Sequence, residues 1–197
     1  MASDSNSYKL VELNEARSFI ERCMVSLGTK PVHAATLAEA LVTADHRGHF
    51  SHGMNRLDMY TDCLQKGTTV SDKEPVIVKE TVATGYVDGN NILGPVVGKF
   101  CMQLAIEKAK EAGIGWVVAN GSNHYSIAGW YSTMALENGF LGMSFTNASP
   151  SVVPTRGKKV IVQQFAVIFV LIMKTKWPAL LKVHCQHKKL NFGGERS

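Results

Sequence analysis

Apolar residues recur at helical spacing in the first third of the chain and again around residue 100. Over residues 13–28 they fall every three or four positions and stop at a glycine, which predicts an amphipathic helix. The same spacing predicts a second helix over residues 30–48 and a third from about Gly53 to Gln65. A fourth helix is predicted over residues 94–113, with a proline near its start and a glycine at its end.

From residue 75 onward the pattern changes to short strands that alternate with helices. Residues 75–91 alternate between apolar and polar positions, which predicts a hairpin or two short strands that end at a turn. Residues 114–120 and 140–147 are more continuously apolar and predict buried strands, separated by a helix over residues 125–139. This order predicts an α/β fold in which a helical region, residues 10–66, precedes an α/β layer.

Composition changes this picture only at the end of the chain. The 197 residues, 45% hydrophobic and 19% charged, are typical of one globular domain. The net charge of +5 comes from residues 156–197, which hold nine Lys or Arg and one acid, whereas residues 1–155 hold twelve Lys or Arg and fifteen acids. Because the body of the chain is mildly acidic, we do not expect it to bind nucleic acid.

Targeting and membrane signals are weak. The first nine residues contain no apolar stretch of the secretory kind, so we expect a cytoplasmic protein. The apolar run from Val160 to Met173 would extend about 21 Å as a helix, short of the roughly 30 Å hydrocarbon core of a bilayer, so a membrane association is not favoured. The four cysteines form no CxxC pair and are predicted to be reduced thiols: Cys23, Cys63, Cys101 and Cys185.

The stretch GHFSHGMNR, residues 48–56, is the first candidate site. His46, His49 and His52 are spaced by three, but a glycine interrupts the series and no acidic residue has a diagnostic spacing, so we predict no metal. If Gly53 opens a helix, Ser51 and His52 lie at its positive end and Arg56 one turn on, a combination that suits a carboxylate and a proton transfer. An N-capping serine with a surface histidine and arginine is the alternative that spacing alone leaves open.

The second candidate site is the stretch ANGSNHYSIAGW, residues 119–130. His124 lies where a predicted strand passes into a helix, and Asn123 could orient its ring. Ligands of α/β layers gather beyond the carboxyl ends of strands, although a capping turn with a structural histidine is an equal alternative. No G-x-G-x-x-G motif links a strand to a helix, so a Rossmann domain is not predicted.

Three stretches together resemble the malate/L-lactate dehydrogenase family of the non-Rossmann kind: DHRGHFSHGMNRLDMY, VDGNNILGPVVG, and the segment from AIEKAKEAG to VVPTRGKK. The resemblance covers residues 8–159 and rests on the motifs SHGxxR and SNHxxIAG. It implies a homodimeric oxidoreductase that uses NAD or NADP and acts on small 2-hydroxy or 2-oxo acids. It further implies catalytic roles for His124 and His52 and substrate contacts for Ser51 and Arg56. The implied cofactor-binding residues are Thr146, Asn147, Ala148 and Ser149.

The resemblance stops at residue 159. Family members are about twice as long, so we expect residues 1–159 to be the N-terminal part of the family domain and residues 160–197 to be a divergent basic tail outside the fold. This pattern suggests a truncated isoform whose apolar surface is partly uncovered. The alternative function is therefore a catalytically inactive fragment that lacks most of the cofactor site and dimerises with full-length subunits.

Overall fold

A computed structural model describes residues 10–147, 150–152, 156, 162–163 and 166–170. It contains five α-helices in this part of the chain, close to the predicted positions: α1 Leu13–Ser26, α2 Pro31–His46, α3 Leu57–Gln65, α4 Gly94–Ala112 and α5 Ala128–Glu137. Proline stands in the first turn of α2 and of α4, where its missing N–H costs no helical hydrogen bond. Gly113 ends α4 in the left-handed conformation that favours glycine.

The helical region builds the main core. Helix α1 packs along α2, and Leu93, the N-cap of α4, joins the same cluster with Val97 from the first turn of that helix. Ile20 of α1 and Leu37 of α2 are completely buried there. The apolar sides of α1 and α2 thus face each other, and burial of such side chains stabilises a fold by about 1.5–3 kcal/mol each.

The strands form three small sheets among the described residues. Their bounds are β1 Val76–Glu80, β2 Thr84–Asp88, β3 Trp116–Asn120, β4 Gly142–Thr146, β5 Pro150–Val152, β6 Val162–Gln163 and β7 Ala166–Val170. Strands β1 and β2 form the predicted hairpin, and β3 joins β2 in parallel after the crossover through α4. Strand β4 pairs with β7, and β5 with β6, both antiparallel.

Two of these strands belong to the segment predicted to be a tail. Strand β7 pairs with β4 in antiparallel register from Gly142↔Val170 to Thr146↔Ala166. The remainder of the segment, residues 160–161, 164–165 and 171–197, lies outside the described residues, and the domain boundary at residue 159 stays a prediction.

The prediction that residues 114–120 form a buried strand is wrong as to burial. Helix α4 covers one face of the β1–β3 sheet, where Gly85 and Val87 are buried. On the opposite face Trp116 and Val118 are 48% and 51% exposed, although the Trp116 ring contacts the Phe145 ring of β4, with centroids 5.4 Å apart. Apolar surface is therefore uncovered, as we expect from the abrupt end of the resemblance. No described helix is both long and apolar enough to cross a bilayer.

Candidate active site

The turn that carries His124 connects β3 to α5. Its backbone lies against the first residue of α4, where a side chain on Gly94 would overlap the carbonyl oxygens of Asn123 and His124. The Asn123 side-chain amide donates to the carbonyls of Asn91 and Ile92, at 3.2 and 3.1 Å. Asn123 therefore holds the turn in place and does not orient the imidazole, contrary to our expectation.

The SHGMNR stretch does not open an α-helix at Gly53. Two short 3₁₀ turns, Phe50–His52 and Met54–Arg56, precede α3, which starts at Leu57. The cause is close contact with the end of α2: the Asp45 carboxylate accepts the Met54 N–H at 2.7 Å, and a Cβ on Gly53 would overlap that carboxylate. The prediction that these residues lie at the N-terminus of an α-helix is therefore wrong.

The predicted residues nevertheless come together. The rings of His52 and His124 stack with centroids 5.5 Å apart and planes 21° from parallel. The Ser51 hydroxyl lies 2.7 Å from Nδ1 of His52, and Arg56 donates from Nε to the Ser51 carbonyl at 2.6 Å. The terminal nitrogens of Arg56 have no hydrogen-bond partner among the described residues, which leaves its carboxylate-binding fork available.

Tyr60 is a site residue that the sequence analysis missed. Its hydroxyl lies 2.7 Å from Nδ1 of His124 and 3.1 Å from the carbonyl oxygen of the same residue. Tyr60 is 3% exposed, so water does not compete for these contacts. Tyr60 stands four positions after Arg56, a spacing that places the two on one face of a helix, and this is the signal that could have identified it.

Ser126 was also missed, and it connects the two motifs. Its hydroxyl donates to the His52 carbonyl at 3.0 Å, and its N–H lies 3.4 Å from Nδ1 of His124. Its φ of 61° is in the left-handed region, which is uncommon for a residue with a side chain. Such backbone strain persists only where surrounding contacts fix it, and it clusters at functional sites.

Both stacked imidazoles are neutral near pH 7. Burial, with smaller contributions from His52 and Arg56, lowers the pKa of His124 to about 4. Burial also lowers the pKa of His52, again with contributions from Arg56 and His49. Burial raises the pKa of the Tyr60 phenol, so Tyr60 keeps its proton. The site therefore combines a permanent cation with two imidazoles that can each accept a proton.

In the part of the chain that the structure describes, no three His, Cys, Asp or Glu side chains are placed to share a metal ion. His49 and His52 lie on the same short turn, but the ring of His52 stacks on another imidazole.

Two of the four predicted cofactor residues, Thr146 and Asn147, lie at the end of β4. Thr146 is half-buried and donates its hydroxyl to the Asn147 carbonyl at 3.0 Å, while Asn147 is exposed. Ala148 and Ser149 lie outside the described residues. The Tyr125 hydroxyl, 3.3 Å from Oγ of Ser144, ties the His124 turn to this strand.

Known proteins match this chain in sequence. A family model described as malate/L-lactate dehydrogenase matches residues 11–168. The malate/(S)-sulfolactate dehydrogenase of Methanothermus fervidus is 40% identical over 149 residues, which are 76% of this chain and 44% of that protein. The malate dehydrogenase of Pyrococcus horikoshii is 43% identical over 151 residues, which are 77% of this chain and 42% of that protein.

The structural comparison agrees. The solved malate dehydrogenase of Pyrococcus horikoshii OT3 superposes with a TM-score of 0.82 at 40% identity, over 87% of this chain and 49% of that one. The predicted class, an α/β fold with an N-terminal helical region, is thereby confirmed. The chain spans less than half the length of the curated relatives it matches.

Proposed function

This chain belongs to the malate/L-lactate dehydrogenase family, and on that premise we propose that it comes from an oxidoreductase that transfers a hydride between a nicotinamide cofactor and a small 2-hydroxy or 2-oxo acid. The observation that carries the proposal is that His124, His52 and Arg56 lie close together in the structure. The two histidines are 72 positions apart in the chain, yet their rings stack, and the charge of Arg56 acts on both.

His124 is the proposed proton acceptor. Oxidation of a 2-hydroxy acid breaks the C–H and O–H bonds of the carbinol, and the hydroxyl proton must go to a base. A neutral imidazole can take that proton, and the lowered pKa of His124 keeps the ring neutral over the physiological range. His52 is the proposed partner of His124 in this proton transfer. A hydrogen bond between the Ser51 hydroxyl and Nδ1 of His52 fixes the orientation of its ring.

Arg56 is the proposed ligand of the substrate carboxylate. Its Nε is fixed on the Ser51 carbonyl, which directs the side chain while the terminal nitrogens remain free to bind two oxygens. Holding the acid in one orientation places its reacting carbon relative to the base and accounts for a large part of catalysis in two-substrate reactions.

The nicotinamide cofactor, NAD or NADP, accepts the hydride when it is bound. The exposed Asn147 amide at the end of β4 offers a donor and an acceptor, and the adjacent Thr146 adds a hydroxyl, which fits the carboxamide and ribose groups of such a molecule. Thr146, Asn147, Ala148 and Ser149 are the residues we propose to hold it. We also retain the homodimer as a proposal.

The test is a titration of residues 1–197 with NADH and with NADPH, followed by nicotinamide fluorescence. Binding of one cofactor, strengthened by malate in wild type and not in Arg56→Gln, supports the proposal. Arg22→Gln, on the exposed surface of α1, is the matched control and should behave as wild type. Absence of binding at cofactor concentrations of about 1 mM, a typical upper limit for KM, would favour the inactive-fragment alternative.

A turnover assay addresses the histidines. In a full-length context that oxidises a 2-hydroxy acid, His124→Ala should abolish turnover while the circular dichroism spectrum and the unfolding midpoint stay close to wild type. Undiminished turnover in that variant would remove His124 from the proposed mechanism.

A further inference from the structure

The contact between Tyr60 and His124 has a chemical consequence that depends on a single hydrogen atom. A phenol carries one hydrogen, so it can donate either to Nδ1 of His124, at 2.7 Å, or to the carbonyl oxygen of that residue, at 3.1 Å. The carbonyl oxygen only accepts, whereas Nδ1 can be a donor or an acceptor according to the tautomer. The position of the Tyr60 hydrogen and the tautomer of His124 are therefore coupled.

One of the two arrangements makes more hydrogen bonds. If Tyr60 donates to the carbonyl, its oxygen accepts from a protonated Nδ1, and both short contacts are hydrogen bonds. If Tyr60 donates to Nδ1, the phenol and carbonyl oxygens face each other at 3.1 Å with no hydrogen between them. Because Tyr60 is buried, an unsatisfied polar contact there is unfavourable, since water cannot replace the missing hydrogen bond.

Ser126 provides the only opposing contact among the described residues. Its N–H lies 3.4 Å from Nδ1, longer than the 2.7–3.2 Å of ordinary N–H hydrogen bonds, and it also donates to the Tyr60 hydroxyl oxygen, which can accept it in either arrangement. The 2.7 Å contact between Nδ1 and the Tyr60 hydroxyl is much shorter, so it determines the tautomer of His124. The stacked ring of His52 contacts the face of His124 and offers no hydrogen bond to its ring nitrogens in this geometry.

We propose that Tyr60 is a positioning residue that holds neutral His124 in the Nδ1–H tautomer, so that Nε2 presents its lone pair to the substrate. The inference rests on the proposed function for the meaning of that lone pair, since a ring protonated on Nε2 could not take the hydroxyl proton there. Tyr60 itself exchanges no proton with the substrate.

The test reads the tautomer directly. The ¹⁵N chemical shifts of both ring nitrogens of His124 are measured by two-bond ¹⁵N–¹H correlation at about pH 7.5, above the usual histidine pKa. The His124→Gln spectrum assigns the signals. We expect Nδ1 to give the shift of a protonated nitrogen and Nε2 that of an unprotonated one. In Tyr60→Phe, which loses only the hydroxyl, His124 should change to the Nε2–H tautomer that an unconstrained histidine favours.

Tyr86→Phe is the control, because Tyr86 lies on the exposed face of the sheet and should leave the His124 shifts unchanged. An Nε2–H pattern in wild type overturns the proposal, and so does an unchanged pattern in a folded Tyr60→Phe. The wild-type spectrum decides even if the variant does not fold. The readout needs no cofactor, so failure to bind NADH or NADPH counts against the proposed function and not against the role of Tyr60.

Discussion

The helical region and the three-stranded sheet are both rich in apolar side chains, but they bury these side chains to different extents. In the helical region the apolar sides of α1 and α2 face each other, and Leu37 is completely buried. In the sheet, helix α4 covers one face, and Val118 on the other face is about half exposed. The comparison teaches that a helix pattern reports one buried side, whereas a continuously apolar strand implies two covering layers, of which the described residues supply one.

The largest effect should come from the core of the helical region. Leu37→Ala removes a fully buried side chain between α1, α2 and α4, and we expect it to lower the free energy of unfolding by about 2–5 kcal/mol. Denaturant unfolding measures this loss. Val32→Ala, on the exposed side of the same helix, is the control and should change stability by less than about 0.5 kcal/mol. Similar losses for both would contradict the comparison.

The contact between the start of α4 and the turn that carries His124 should show the next largest loss of stability on substitution. Gly94→Ala puts a Cβ onto the backbone carbonyls of Asn123 and His124, which cannot move aside as a side-chain end could. We expect a loss of about 1–3 kcal/mol together with altered NMR shifts of His124. Glu111→Ala, on the exposed end of the same helix, should be neutral. Wild-type stability and shifts in Gly94→Ala would mean that the turn tolerates displacement.

The two faces of the sheet can be compared with one kind of substitution. Val87→Thr buries a hydroxyl under α4 and should cost about 1–3 kcal/mol. Val118→Thr makes the same change on the exposed face, so we expect a stability change within about 0.5 kcal/mol and less self-association by light scattering. Equal losses at the two positions would show that the outer face is covered in solution.

The last prediction concerns the dependence of stability on pH. The pKa of His124 in the folded protein, about 4, is below its usual value of 6.5, so the unfolded chain binds more protons between these values. The contribution of neutral His124 to stability is complete above about pH 6.5 and is lost as the pH falls toward 4. His124→Gln should therefore lose less stability than wild type between these pH values in denaturant titrations. Exposed His46→Gln should follow the wild-type profile.

The sequence predicts the helices and strands better than it predicts the contacts between residues that are distant along the chain. The helices and the hairpin were identified because their periodicity is local, and His124, His52 and Arg56 were identified because their motifs resemble a family. Tyr60 and Ser126 were missed because their importance depends on contacts 64 and 74 positions away along the chain. The start of α3 was misplaced because contact with Asp45 at Gly53 overrides the local preference for a helix there.

The parallel pairing of β2 with β3 has a kinetic consequence. Strands in this relation can pair only after the intervening crossover, here α4, has folded back on them, and His124 reaches Tyr60 only when that has happened. We expect α1 and α2 to associate early and the imidazole pair to assemble late in folding. Removal of the Tyr60 hydroxyl should then speed unfolding and barely alter the refolding rate, whereas Leu37→Ala slows refolding.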